Sequence, residues 1–514
     1  MKKTILTLIL PCVALVASAQ EYLHIGTYWE EEAIVPVELI DSITFGEISV
    51  VLLPELMEKD DNIKLFCEAL QLTGLRDSLT AVYDHSLAYG NKLVEGIRPP
   101  VQAYALQKLR KGYTAFVETD KTYALYGIHS IEDLKAYAAK VYDEMYPEDA
   151  AVADPTDRRN SLNRFVAYHL LDRRGTQSNL TAAGIENERA GRVEEKYLRN
   201  KIDIADWYET MMPHSLLKCS APLLGGGEEF VFINRRGLQG QADDRGVLVE
   251  GAQIVNEAAY DYQGEAINGY YHYISDIIAY DKQTQEVVLD EQIIVNNSTF
   301  SPELMNNGLR CSTPFTPELS INAEVFIPKG TLKNVQVNSE DTRMYYLFRN
   351  TWHNAQTDEI MLLGDYDITI KLPAVPAGTY ELNIGHSASY MRGVAATYLD
   401  GELIDTIDFS KQGPALGWVS DKELKTPEAI AENDSLLFSQ GYRKGLPYFY
   451  LDWDQKAHRE SELCLRRILT TFTTDGKSDH YLRIKKVDTH NARIREFQID
   501  YLELCPTHLL PEYK

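Results

Sequence analysis

The segment Leu162–Arg174, LNRFVAYHLLDRR, places a histidine among apolar residues that recur at helical spacing. An imidazole can act as a catalytic base, bind a metal ion, or lie hydrogen-bonded inside a core. His169 has no Cys, Glu or second His three or four residues further on, so the spacing of a helical zinc site is absent. Because an unpaired buried polar group costs about 1–3 kcal/mol, a core histidine needs partners. The pattern favours a structural, hydrogen-bonded His169.

Other patterns that would indicate catalysis are missing from the sequence. It contains no G-x-S-x-G motif, and the glycines at 225–227 lack the G-K-[ST] ending of a phosphate-binding loop. A glycoside hydrolase needs a pair of carboxylates, which the sequence alone does not single out among 76 Asp and Glu residues. We therefore expect no catalytic activity, no metal and no cofactor, with a glycan-active hydrolase as the least favoured alternative.

Aromatic residues near the C-terminus offer a second kind of chemistry. Sugar rings stack on aromatic planes, and their hydroxyl groups hydrogen-bond to carboxylates such as Asp452 and Asp454. The same aromatic residues are also common in the core of a β-sandwich. The glycan-binding candidates are Trp352, Trp418, Trp453, Tyr448 and Tyr450.

Charge and the N-terminal residues limit the partners and the location. The 514 residues carry a formal net charge of −25, which would repel nucleic acid and anionic membrane surfaces. Lys2 and Lys3, the apolar run Ile5–Val16 and the sequence Ala17-Ser18-Ala19 are typical of a secretory signal peptide at residues 1–19. No later segment is apolar enough to span a bilayer. We expect an exported chain in the periplasm, at the cell surface or outside the cell, with lipidation at Cys12 as an alternative.

The elements that would position these residues change along the chain. Residues 20–50 predict two short strands, and residues 51–287 predict helices followed by strands. Thr114–Val117 reads as a strand that leads to a helix cap at Thr119 or Asp120, and Ser130 caps a longer helix. Residues 288–514 consist of short alternating runs between Pro/Gly turns, as in a β-sandwich. Its one expected helix lies at Lys456–Leu469, with a pair of strands there as the alternative.

Three segments in this order resemble the fasciclin-like (FAS1) adhesion family: TAFVETDKTY at Thr114–Tyr123, LNRFVAYHLL at Leu162–Leu171, and NGYYHYISDII at Asn268–Ile278. Glu118 stands where that family usually has proline, and Ser275 stands where an aspartate is common. The long interval before Asn268 implies an insertion within Gly175–Asp244. The resemblance implies an α+β fold and a histidine fixed between helix and sheet. It also makes Tyr168 and His169 candidates for cell adhesion, with an exposed patch around Tyr168.

The N-terminal sequence IDSITF and the C-terminal runs AGTYELNIG, VAATYLDG and FQIDYLELCP resemble exported Gram-negative proteins in which a fasciclin domain precedes a galactose-binding-like jelly roll. The expected organisation is a signal peptide at 1–19, a β segment at 20–50, a fasciclin-like domain at 51–287 and an all-β jelly-roll sandwich at 288–514. The expected function is adhesion or recognition without catalysis, through a surface protein or a glycan ligand. Carbohydrate binding by the jelly roll is the main alternative.

Overall fold

The chain folds as a mixed α and β structure in which most strand pairs are antiparallel. The computed structural model describes residues 22–26, 32–36, 51–84, 104–105, 109–190, 203–223, 230–237, 240–255, 265–310, 322–349, 353–451, 456–487 and 496–511. Residues 1–50 and 51–514 form separate units. The predicted signal peptide lies outside the described residues, as do Trp352, Trp453 and the glycines at 225–227.

In the first unit, the described residues form an antiparallel hairpin of β1 (Tyr22–Gly26) and β2 (Glu32–Pro36). The remaining strands belong to the second unit. They are β3 Tyr83–Asp84, β4 Tyr104–Ala105, β5 Leu109–Arg110, β6 Tyr113–Glu118, β7 Leu170–Leu171, β8 Asp203–Glu209, β9 Leu216–Pro222, β10 Phe232–Ile233, β11 Ala252–Gln253, β12 Glu265–Ala266, β13 Gly269–Ile274, β14 Ile293–Asn296, β15 Asn322–Ile327, β16 Val335–Val337, β17 Arg343–Arg349, β18 Asp358–Leu363, β19 Asp367–Lys371, β20 Gly378–Ser387, β21 Val394–Leu399, β22 Glu402–Asp408, β23 Tyr442–Lys444, β24 Cys464–Thr474, β25 Tyr481–Lys486, β26 Phe497–Ile499 and β27 Tyr501–Pro506.

The α-helices described in the second unit fall mainly in its first part. They are α1 Leu53–Met57, α2 Lys64–Leu72, α3 Leu75–Ser78, α4 Asp120–Leu125, α5 Ile131–Met145, α6 Ser161–Tyr168, α7 Ala183–Ala190, α8 Asn297–Phe300, α9 Pro302–Asn306, α10 Asp421–Leu424 and α11 Pro427–Ser439. The predicted caps are confirmed, since Thr119 accepts from the amide of Thr122 (3.2 Å) and Ser130 accepts from that of Asp133 (3.3 Å). No helix in the described ranges is long and apolar enough to cross a membrane.

The first part of the second unit is organised around a four-stranded sheet in the order β12-β13-β6-β7. In it, β6 and β13 are parallel neighbours, although residues of the predicted insertion separate them in sequence. The insertion supplies strands of its own, because β8, β9, β10 and β11 form a second four-stranded antiparallel sheet.

The C-terminal part is rich in antiparallel strands, as the alternating sequence predicts. Its strands form three five-stranded sheets: β14-β27-β20-β24-β23, β26-β18-β17-β15-β4 and β16-β19-β25-β21-β22. The predicted helix at Lys456–Leu469 is wrong, because Cys464 begins an eleven-residue strand that pairs with β20 and β23. The helix lies earlier, at Pro427–Ser439, where Thr426 caps a first turn that starts with proline.

One apolar core cluster extends through the second unit. It includes Phe116 and Phe165 from the helical part as well as Leu382 and Leu504 from the strands that follow. The predicted boundary between residues 287 and 288 stays a prediction, and the apolar packing is continuous across it. Cys219, Cys464 and Cys505 are buried, as is usual for small apolar side chains.

Replacing Asn268 by alanine should destabilise the fold by about 3 kcal/mol, because it removes three hydrogen bonds of about 1 kcal/mol each. The buried side-chain amide accepts from the backbone nitrogen of Leu53 (2.9 Å) and donates to the carbonyls of Leu79 (2.8 Å) and Ala81 (3.1 Å). Urea denaturation measures the change. The exposed Gln336→Ala is the control and should stay within about 0.5 kcal/mol; equal effects of the two substitutions would contradict this role.

Candidate functional site

Tyr168 and His169 lie at the end of α6, inside the core. The side chains of both residues are 0% exposed. The Tyr168 hydroxyl donates to the carbonyl of Leu216 (3.0 Å) and accepts from the side-chain amide of Asn234 (2.9 Å). The prediction of an exposed patch around Tyr168 is therefore wrong, because these hydrogen bonds hold the ring against the inserted sheet. Neither residue presents a surface to a partner in the folded chain.

His169 links α6 to β6 through both ring nitrogens. Its Nδ1 lies 2.7 Å from the carbonyl oxygen of Phe165, which can only accept, so Nδ1 carries a proton. Its Nε2 lies 2.9 Å from Oε1 of Glu118. The other carboxyl oxygen of Glu118 accepts from the hydroxyl of Tyr123 (2.8 Å). The predicted structural, hydrogen-bonded role of His169 is confirmed, and the residue that stands in place of the family's proline is its partner.

The closing strand β13 also places its histidine in the core. His272 is buried, and its Nε2 lies 2.8 Å from the carbonyl oxygen of Gly175. Burial lowers the pKa of His272, which favours the neutral ring. On the opposite face of the strand, the hydroxyl groups of Tyr271 and Tyr273 both donate to Oδ2 of Asp60. The side chains of β13 thus alternate between the two faces of the sheet.

The three glycan-binding candidates that the structure describes, Trp418, Tyr448 and Tyr450, pack into small apolar clusters. Tyr450 is buried in a small cluster with Ile204 and Leu223, and Tyr448 packs partly buried against it. Trp418 lies half-buried beside α11, and its indole packs against Leu437 among others. Trp352 and Trp453 lie outside the described residues. The candidates that the structure describes therefore contribute mainly to packing.

A cleft of about 280 Å³ opens where the helical part, the inserted sheet and the C-terminal strands meet. Its apolar walls include Leu109, Tyr113, Met211 and Pro302. The volume is near the lower end of the roughly 300–1,000 Å³ range of ligand pockets, so the cleft suits one small polar molecule. Six ionisable side chains line it: Asp84, Arg110, Lys111, Asp172, Glu303 and Lys333.

Two neighbouring asparagines hold the walls of the cleft together: Asn306, the last residue of α9, and Asn307, its C-cap. Asn306 accepts from the backbone nitrogen of Arg174 (2.9 Å) and donates to the carbonyl of Asp172 (3.1 Å). Asn307 accepts from the backbone nitrogen of Arg110 (3.2 Å) and donates to the carbonyl of Glu303 (2.8 Å). These amides fix the backbones that present Arg110, Asp172 and Glu303 to the cleft.

Gly112 allows this close approach of the walls. A Cβ atom at this position would lie 2.6 Å from the side-chain oxygen of Asn306 and 2.1 Å from Cγ of Arg174. Any larger residue would displace both side chains. The glycine is therefore part of how the sequence builds the cleft.

Glu303 is the most unusual group in the cleft. Its side chain is 6% exposed, and within the described part of the chain its Oε2 has no hydrogen-bond partner. Burial raises the pKa of Glu303, an effect that nearby Asp172 reinforces and that Lys333 and Arg173 oppose. Buried polar groups are nearly always paired, so an unpaired carboxyl oxygen at a cleft indicates a ligand-binding position.

The remaining charged groups are partly neutralised by each other. Lys111 lies 3.0 Å from a carboxylate oxygen of Asp84, and Lys333 lies 3.9 Å from one of Asp172. The cleft thus offers hydrogen-bond acceptors and donors beside apolar surface, the combination that polyhydroxyl ligands require. Among the described residues, no group of three or more His, Cys, Asp or Glu could hold a metal ion.

None of these cleft residues stood out from the sequence alone. Glu303 lies in a five-residue helix, and its neighbours in the cleft come from sequence positions as distant as Asp84 and Lys333. No spacing in the sequence brings these positions together, so no local signal marks the cleft.

Comparisons with known proteins do not assign the chain to a family. No family model matches the chain, and no curated protein matches it. Similar solved structures include a Paenibacillus xanthan lyase, with 10% identity and a TM-score of 0.20 over 34% of this chain and 12% of that one. Another is Bacteroides uniformis β-glucuronidase 2, with 11% identity and a TM-score of 0.19 over 56% of this chain and 23% of that one.

A third is the exo-β-1,3-galactanase of Phanerochaete chrysosporium, with 6% identity and a TM-score of 0.18 over 56% of this chain and 54% of that one. The chain thus spans less than two thirds of the length of each of these proteins. Their TM-scores are too low to indicate a shared fold.

Glu118→Ala should destabilise the fold by about 3–5 kcal/mol, because Nε2 of His169, the hydroxyl of Tyr123 and the amide of Ile278 all lose their buried carboxylate partner. The loss should appear in urea or thermal denaturation. Glu132→Ala is the matched control, since Glu132 is exposed and pairs only with Lys135 one helical turn away (2.8 Å); it should change stability by about 0.5 kcal/mol or less. A small effect of Glu118→Ala would show that the buried pair contributes little.

Glu303→Gln should stabilise the fold increasingly as the pH rises. Burial raises the pKa of Glu303 above 4.5, so the folded chain holds this proton more tightly than the unfolded chain. Below about pH 4.5 both states are protonated and the carboxyl group has no ionisation cost; the cost develops as the pH rises through the raised folded-state pKa. The gain in unfolding free energy from Glu303→Gln should therefore be larger at pH 8 than at pH 4 in urea titrations. A pH-independent difference would contradict the raised pKa.

Proposed function

We propose that this chain is an exported recognition protein that binds a sugar residue in the cleft at Glu303 and does not catalyse a reaction. The observation that carries the proposal is the cleft itself, in which an unpaired, buried carboxyl oxygen lies among further donors and acceptors and beside apolar walls. One sugar residue presents hydroxyl groups to the polar side chains and C–H faces to residues such as Tyr113. Export through residues 1–19 is part of this proposal.

The proposal keeps a fasciclin-like region at 51–287 followed by a jelly roll at 288–514. It is supported by the pairing of β6 with β13, which brings the first and last of the three fasciclin-like segments together in one sheet. The cleft draws residues from both regions, among them Tyr113 and Asp172 from the first and Glu303 and Lys333 from the second. Recognition would therefore depend on both, and the adhesive contact would shift from Tyr168 and His169 to the cleft.

A panel of neutral, acidic and amino monosaccharides, titrated into the full mature chain by calorimetry, tests this function. At least one sugar should bind, and Asp172→Ala should weaken that binding about tenfold or more, because it removes a charged hydrogen-bonding group from the cleft. Trp418→Ala is the control and should leave the affinity unchanged. Binding that is lost with Trp418→Ala and kept with Asp172→Ala would place the glycan site at the half-buried indole instead.

A glycan-active hydrolase is the second candidate, and one observation favours it. Asp84, Asp172 and Glu303 line the same cleft, and a carboxyl group with a raised pKa suits a general acid. Chromogenic aryl glycosides distinguish the two functions. Turnover by the natural chain that Glu303→Gln abolishes would establish the hydrolase, whereas sugar binding without turnover would support recognition.

A further inference from the structure

The charged side chains around the Glu303 cleft differ in how closely they are paired with other groups. Lys111 is engaged by Asp84 at 3.0 Å. The side chain of Lys333 is 54% exposed and lies 3.9 Å from Asp172, so it reaches the cleft from its solvent side. Glu303, by contrast, is almost fully buried, and its Oε2 has no partner among the residues described. The inner wall therefore carries a carboxyl group that lacks a hydrogen-bond donor.

We propose that the cleft selects a sugar residue that carries a free amine, an inference that rests on the proposed function. An ammonium group supplies three donors on one positively charged centre, so it can satisfy the unpaired oxygen of Glu303 and also reach Asp172. The hydroxyl groups of the same sugar can accept from Lys333 at the open side. The amine is thus expected at the inner wall and the hydroxyl groups toward solvent.

Other small ligands fit this arrangement less well. A uronic acid would place a second carboxylate against Glu303 and Asp172, and like charges in a partly buried site repel. An N-acetylated amino sugar has one amide donor and no positive charge, so it gains less from an ionised carboxylate. A metal ion would need more ligands than the described carboxylates provide as a group. A neutral hexose satisfies Glu303 only with hydroxyl donors.

The affinity of the cleft for an amino sugar should also rise with pH. The ammonium prefers the ionised form of Glu303, so affinity should rise as this carboxyl group loses its proton, while the sugar amine stays protonated. Asp172 opposes that ionisation, and Lys333 and Arg173 favour it. Lys111 and Asp84 also line the cleft, and they neutralise each other. Arg110 and Tyr113 complete the charged and titratable lining, and the Arg110 guanidinium also favours the ionised form of Glu303. A neutral sugar should lack this dependence.

Calorimetric titration of the full mature chain with glucosamine, glucose, N-acetylglucosamine, glucuronic acid and ethanolamine tests the inference. At pH 7, glucosamine should bind at least about tenfold more tightly than the other four compounds, and its affinity should fall as the pH is lowered to 4.5. Glu303→Gln should remove this preference for glucosamine over glucose and the pH dependence. Glu132→Gln, an exposed substitution, should change neither.

Each contrary result shows which of the two proposals is wrong. Glucose binding that equals glucosamine binding would overturn the amine inference and leave sugar recognition standing. Ethanolamine binding that equals glucosamine binding would overturn the role of the sugar. Absence of binding by all five compounds would overturn both proposals. Because the pH profile is measured on the natural chain, an effect of Glu303→Gln on folding would not conceal the outcome.

Discussion

The hydrogen bonds of Asn306 and Asn307 are the interaction on which the cleft depends. Three hydrogen bonds to backbone groups connect α9 to β5 and to the segment after β7. A fourth, from Asn307 to the carbonyl of Glu303, lies within α9 and its cap. The segments they join come from distant parts of the sequence, and the backbone groups they satisfy lie where the sheets end. Because buried amide groups need partners, the geometry of Arg110, Asp172 and Glu303 follows from these two residues. Gly112 provides the space in which the contacts form.

The same principle governs the core around His169. A histidine and a glutamate that are both fully buried are tolerable only because each ring nitrogen and each carboxyl oxygen has a partner. Tyr168 follows the same rule with Leu216 and Asn234. These residues join α6 to two sheets and are therefore structural, whereas Oε2 of Glu303 has no hydrogen-bond partner among the residues that the structure describes. That difference is the reason to place recognition at the cleft.

Local features of the fold were predictable from the sequence. Strand β6, the caps Thr119 and Ser130, helix α6 and the buried state of His169 all follow from short-range spacing and polarity. Helix α11 was missed because its apolar residues do not form a clear stripe, although Thr426 and Pro427 mark its start. Strand β24 was mistaken for part of a helix because Cys464, Leu465 and Leu469 also fit helical spacing. Cleft residues were not predictable, because their proximity arises from contacts between segments far apart in sequence.

A crystal structure of the full chain with glucosamine tests most directly whether the cleft binds an amino sugar through Glu303. We expect the sugar in the cleft, with its amine nitrogen about 2.7–2.9 Å from a carboxylate oxygen of Glu303 and its ring near Tyr113. A sugar bound elsewhere on the chain, or bound in the cleft with its amine turned away from Glu303 and Asp172, would contradict it.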